Sequence, residues 1–181
     1  MGLDEIRRQI DSVDGQMKQL FLQRMDLAHQ VAREKKHTGA AVYAPKREEE
    51  VLCARTDKTE EAYYPECLAF FKQMMEISRL YQYSKLACQA EDLIALPAGE
   101  GEAAVEFFCT ANDRQLAVFL NAAAIANLTV KNLTVKEEEG KVFCRLFLAG
   151  DFSSDLARGA VLQMLKENES ASIILVVSNG L

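Results

Sequence analysis

Four polar side chains occupy positions where two amphipathic helices of this sequence should bury apolar residues. Along the first helix, apolar steps of three and four residues reach Arg24, and Lys35 lies further along the same face. Along a later helix, the same steps reach Ser78 and Gln82. A buried guanidinium or ammonium group is costly unless a negative group pairs with it. The arrangement therefore predicts a polar pocket for a small anion.

A purely structural role for these residues is the alternative. One polar residue in a helix seam can fix register or oligomeric state, and Lys35, near a helix end, can extend to solvent. Taken singly, Arg24 and Lys35 fit that role better. Register needs only one such residue, whereas here two cations, an amide and a hydroxyl share the seams of two helices. The set of four therefore favours a binding site.

The sequence does not support other kinds of site. His29 and His37 lack metal-ligand spacing, the five scattered cysteines form no C-x-x-C pair, and Gly99 and Gly101 lack the other glycines of a phosphate loop. A net charge of -6 disfavours nucleic acid and anionic membranes, which need clustered Lys and Arg. No apolar run approaches the length of a membrane span. We expect a cytoplasmic protein with reduced cysteines and without metal or cofactor.

Three helices and no strand pattern are predicted for the first part of the chain. Apolar residues recur at helical spacing from Leu3 to about Lys36, and Gly39 suits the left-handed position after the last turn. A helix of that length, roughly 50 Å, should pack along other helices or a partner chain. Further helices are predicted from Pro45 toward Arg55 and along the stripe from Leu68 to Leu86. We expect an all-α domain over residues 1–88.

A change of pattern marks the second part of the chain. Residues 89–102 are small, acidic and contain Gly and Pro, which predicts a linker. The segments that follow predict strands and helices: strand Val105–Cys109, helix Arg114–Ala124, strands Leu128–Val135 and Lys141–Ala149, helix Ser154–Lys166 and strand Ser172–Val177. This β-α-β-β-α-β order predicts an α+β ferredoxin-like sandwich over residues 103–181, with helices on one face of a four-stranded antiparallel sheet.

Several segments of the first domain together resemble the all-helical chorismate mutases. They are Ile6 to Asp14, Leu20 to Arg24, Lys35, Arg47-Glu48 and Ser78-Arg79-x-x-Gln82. The resemblance covers essentially the whole domain and implies an intertwined homodimer that converts chorismate to prephenate. That rearrangement is intramolecular, so it requires a clamped dicarboxylate and stabilised charge on the breaking ether oxygen.

The resemblance also implies a role for each of ten residues. Arg24 and the partner's Arg7 would hold the two carboxylates, for which the bidentate guanidinium is suited. Lys35 and Gln82 would donate to the ether oxygen, and Glu48 would contact the ring hydroxyl. Arg47 and Ser78 would complete the polar shell of the site. Val31, Val51 and Met75 would form its apolar walls.

The second part resembles an ACT domain, the amino-acid-sensing module of several enzymes of aromatic biosynthesis. The element order and Asn127-Leu128-Thr129 after the first helix carry this resemblance. It implies an aromatic amino acid, phenylalanine or tyrosine, as feedback effector. That family has a glycine-containing turn before its first helix, whereas Thr110 to Gln115 contain no glycine. A module that only dimerises or stabilises the chain therefore stays open beside the sensor.

Two other functions stay open for the whole protein. A lyase of the same helical fold that eliminates pyruvate from isochorismate would use similar cations around a similar ligand. A protein without catalysis that binds an effector or a partner enzyme is the second alternative. The attached sensor-like module favours the mutase over the lyase. The presence of Arg24, Lys35, Glu48 and Gln82 counts against loss of catalysis.

Overall fold

The computed structural model describes residues 2–110, 114–138 and 140–178. Three helices come first: α1 Leu3–Thr38, α2 Pro45–Thr56 and α3 Tyr64–Leu86. An α/β region follows: β1 Glu100–Cys109, α4 Gln115–Ile125, β2 Thr129–Glu138, β3 Lys141–Asp151, α5 Asp155–Glu167 and β4 Ser172–Ser178. This confirms the predicted order of helices and strands.

Helix α1 ends as its sequence predicts but is poorly covered in a single chain. Gly39 adopts a φ of 71° and donates its N–H to the Lys35 carbonyl over 2.8 Å. Ala28 and Ala32 are the buried residues of the helix. Many apolar side chains of its predicted seam are exposed: Leu3, Ile6, Ile10, Val13, Met17, Leu20, Leu27 and Val31. A helix of 36 residues, about 54 Å long, thus leaves an apolar face without cover from its own chain.

The sheet has the predicted four antiparallel strands, in the order β2-β3-β1-β4. Alternate residues of the central strands β1 and β3, such as Val105, Phe107 and Leu146, face the core and are fully buried. Phe107 meets Phe119 of α4 edge to face at 4.9 Å, and Met164 of α5 belongs to the same core. The opposite face of the sheet carries the ion pair between Glu106 and Arg145.

The predicted linker is instead a packed part of the fold. Leu93 is fully buried and Leu96 nearly so, both within the core that the sheet shares with α4 and α5. The Leu93 carbonyl accepts a hydrogen bond from Arg158 Nη2 of α5 at 3.0 Å. Strand β1 begins at Glu100, not at Val105 as predicted. Leu93 and Leu96 hold the segment against the core, while many of its small and acidic residues stay exposed, as their composition predicts.

The hydrophobic core is continuous between the helical domain and the α/β region. Leu80 and Tyr83 of α3 lie in one buried cluster with Leu162 of α5 and the inner face of the sheet. Helix α5 approaches α3 closely at Gly159, where an added Cβ would lie 2.6 Å from the backbone N and Cα of Ser84. The absence of a side chain at Gly159 therefore allows the two helices to touch.

Replacing Gly159 by alanine should destabilise the protein. The added methyl group would overlap the Ser84 backbone, so α5 must shift away from α3, and overpacking of this kind costs roughly 1–3 kcal/mol. Urea unfolding followed by circular dichroism measures the change. An unchanged or increased free energy of unfolding would contradict this prediction. That result is the one expected for an ordinary Gly→Ala change in a helix, where no close contact is at stake.

Candidate active site

Arg24 of α1 reaches across to α3. Its Nη1 donates to the Ser78 hydroxyl, and to the carbonyl oxygen of Met74 at 3.3 Å. Ser78 is buried and donates in turn to the same Met74 carbonyl at 2.9 Å. The structure thus brings together two of the predicted site residues, which are 54 positions apart in the sequence.

Lys35 and Gln82 lie further along the same two helices, Lys35 on α1 and Gln82 one turn after Ser78 on α3. Lys35 Nζ donates to the Val42 carbonyl at 2.8 Å, which leaves two ammonium protons for a ligand. Gln82 Nε2 donates to the Ser78 carbonyl at 3.2 Å. Among the described residues, the buried Gln82 Oε1 has no hydrogen-bond partner. Because a buried amide with unused hydrogen-bonding capacity is costly, this group indicates a place for a polar ligand.

Glu48 of α2 places a negative charge near both Arg24 and Lys35. Burial lowers the pKa of Arg24, and the Glu48 carboxylate partly offsets that fall. Burial likewise lowers the pKa of Lys35, again against the effect of Glu48. One carboxylate therefore acts on both cations. The three predicted residues thus form a group of two positive charges and one negative charge.

Arg79 holds Glu48 in place. Its Nη1 lies 2.6 Å from both carboxylate oxygens of Glu48, and its side chain is 7% exposed. Arg79 stands between Ser78 and Gln82 in the sequence motif, yet the sequence alone assigned it no role. The available signal was its charge beside a polar helix seam, but nothing local shows that the side chain is buried.

The predicted apolar walls differ in how much of each is covered. Met75 on α3 is buried, and Val51 on α2 is half-buried. Val31 on α1 is 43% exposed in the single chain. Arg24 also lines an open apolar groove of about 740 Å³ between α1 and α3. Its other lining residues include Phe21, Phe70 and Ile77.

Two predicted residues lie apart from the others within one chain. Arg7 is exposed and pairs with Asp4 at 3.5 Å. It is seventeen residues before Arg24 on one helix, which places it roughly 25 Å away along the axis. Arg47 is exposed and pairs with Glu50 at 3.0 Å. A single chain therefore assembles only part of the predicted site.

Residues 6–83 match the family described as chorismate mutase type II. These residues form a chorismate mutase domain. All ten predicted site residues and Arg79 lie within the match. It ends before β1, so it does not extend to the α/β region.

A second comparison agrees for part of the chain. A stretch of 61 residues is 42% identical to the T-protein of Haemophilus influenzae. It covers 34% of this chain and 16% of the T-protein, so the chain spans only a small part of that relative's length. No solved structure matches the chain significantly.

The described residues include neither a membrane-spanning helix nor a cluster of metal ligands. No helix there is both long and apolar enough to cross a membrane. Within the same ranges, no three His, Cys, Asp or Glu side chains come together in a way that could hold a metal ion.

Proposed function

We propose that this protein is a chorismate mutase that converts chorismate to prephenate for phenylalanine and tyrosine biosynthesis. The observation that carries the proposal is the group of Arg24, Lys35 and Glu48, in which one carboxylate acts on two cations, within residues that match chorismate mutases. Two cations and an amide suit a dicarboxylate ligand with an ether oxygen.

The chemistry asked of these residues is positioning and charge stabilisation. In the rearrangement a carbon–oxygen bond breaks while a carbon–carbon bond forms within one molecule, and no proton, electron or group leaves it. Arg24 holds a carboxylate and so favours the compact conformer in which the two ends can react. Lys35 Nζ and the second N–H of Gln82 Nε2 donate to the ether oxygen as negative charge develops there, and Glu48 accepts from the ring hydroxyl.

The active form we propose is a homodimer in which the α1 helices cover each other. The apolar residues of α1 that its own chain leaves exposed, from Leu3 to Val31, support this pairing. In an antiparallel pair related by a twofold axis near Gly15 and Gln16, residue 7 of one chain lies opposite residue 24 of the other. The partner's Arg7 would then supply the second guanidinium.

An assay of chorismate disappearance with separated products tests the proposed activity. Prephenate as sole product is the expected result. Release of pyruvate from isochorismate, with chorismate left intact, would assign the lyase of the same fold. Absence of turnover with either compound would leave a binding or scaffolding protein.

For the α/β region we propose an ACT-like sensor of phenylalanine or tyrosine that regulates the mutase. The β-α-β-β-α-β order and the shared core of α3 and α5 support it. The turn whose lack of glycine bears on ligand binding includes residues 111–113, which lie outside the described residues. Isothermal titration with each amino acid, together with the rate in its presence, tests the proposal. No heat and no change in rate would leave a module that only stabilises or dimerises the chain.

A further inference from the structure

The guanidinium of Arg79 joins two carboxylates from different parts of the fold. On one side, Nη1 contacts Glu48 of α2 at 2.6 Å. On the other, Nε and Nη2 contact the two carboxylate oxygens of Glu167, the last residue of α5, at 2.7 and 3.3 Å. The bond to Glu167 is the two-pronged one that gives a guanidinium a fixed plane. The direction of Nη1, and with it the place of Glu48, therefore depends on Glu167.

Glu167 is itself held on the side of the α/β region. Its side chain is 4% exposed, and Gln163 Nε2 donates to its Oε1 at 3.2 Å from one turn earlier on α5. Its backbone carbonyl accepts from Gln115 Nε2 of α4 at 2.6 Å. The ring of Tyr43 lies against the guanidinium, 4.9 Å from Arg79 Cζ to the ring centroid. The carboxylate that Arg79 binds thus belongs to α5, and a hydrogen bond from α4 supports it.

Arg79, Glu48 and Glu167 form a cluster in which each charge depends on the position of the others. Burial works against the charge on Arg79, but Glu167 and Glu48 together raise its pKa. Burial raises the pKa of Glu167, and the negative charge of Glu48 adds to this rise, while Arg79 counters it only in part. Without Glu167, Arg79 would lose the paired hydrogen bonds that set its orientation and would bind Glu48 alone. Glu48 would then follow the guanidinium away from Arg24 and Lys35.

We propose that Glu167 is a positioning residue of the mutase site, which sets the carboxylate of Glu48 through Arg79. The inference rests on the proposed function, because it concerns the contact between Glu48 and the ring hydroxyl. It makes the α/β region a structural part of the active site: α5 supplies the anion that fixes an arginine of α3. The family match ends at residue 83 and so does not contain Glu167.

Two variants and a control test the proposal in the full-length protein. Glu167→Gln keeps the length of the side chain without its charge, and Glu167→Asp keeps the charge but withdraws it by one methylene. We expect each to lower kcat/KM for chorismate about tenfold or more, as displacement of a positioning group does. The control is Asp92→Asn, which breaks the more exposed ion pair of Asp92 with Lys166 of α5, 2.8 Å long. It should stay within about twofold of the wild type.

Ligand binding separates positioning from a general structural effect. The probes are a bicyclic dicarboxylate that mimics the rearranging ring and carries the ring hydroxyl, and its counterpart without the hydroxyl. If Glu167 positions Glu48, both Glu167 variants bind the hydroxylated probe about tenfold more weakly and the deoxy probe as the wild type does. Equal loss for both probes, or a Glu167 variant that behaves like Asp92→Asn, would overturn the proposal. A wild type that neither turns over chorismate nor binds either probe would reject the proposed function and the role of Glu48 with it.

Discussion

Replacing Lys35 by alanine should lower kcat by about a hundredfold to a thousandfold and leave the fold intact. Lys35 Nζ is partly buried and already fixed by the Val42 carbonyl at 2.8 Å, so it is preorganised as a donor. A donor of this kind stabilises the ether oxygen more as it becomes negative, because the donor is already in place and needs no rearrangement. The loss should fall mainly on kcat, since that charge exists only in the transition state. Steady-state kinetics with chorismate measures it.

Lys36 provides the matched control for this experiment. It follows Lys35 on the same helix, carries the same charge and is exposed. Lys36→Ala should therefore keep nearly wild-type kinetics, and both variants should keep the helical signal in circular dichroism. A fall of less than about tenfold for Lys35→Ala would remove Lys35 from the proposed site, because removal of one such donor ordinarily costs more.

Mixing two inactive variants should restore activity. In the proposed dimer each site takes Arg24 from one chain and Arg7 from the other, so Arg24→Ala and Arg7→Ala each damage both sites of their own homodimer. A heterodimer of the two variants collects both substitutions in one site and leaves the second site with both arginines. Random exchange of equal amounts should therefore return roughly a quarter of the wild-type activity, from a low starting level. Co-refolding followed by the chorismate assay measures it.

Arg8 is the matched control for the mixing experiment. It adjoins Arg7, and its exposed side chain pairs with Glu5 at 2.7 Å. Arg8→Ala should be active alone, so it should show no dependence on mixing. If analytical ultracentrifugation shows heterodimers but the Arg7→Ala and Arg24→Ala mixture stays inactive, Arg7 does not serve the partner's site. If the wild type is monomeric and active, the dimer proposal itself is wrong.

Local patterns in the sequence were enough to predict the helices, the strands and the residues of the proposed site. Helix α1 could be predicted because a long run of apolar residues at helical spacing ends at Gly39, which has the left-handed conformation that a side chain would disfavour. Arg24 and Ser78 could be predicted as neighbours because each interrupts the apolar seam of its helix. Such signals are local: they depend on spacing within one element, which an amino-acid sequence records directly.

The contacts that join the two parts of the chain become visible only in the folded protein. The segment after α3 is small and polar like a linker, yet Leu93 is buried in a core contributed by residues far away in sequence. Arg79 is charged like an exposed helix residue, yet its side chain lies between Glu48 and Glu167, the latter 88 residues away. Burial and ion pairing of this kind are properties of how elements pack. No spacing within α3 or α5 could reveal that Arg79 of one helix would pair with Glu167 of the other.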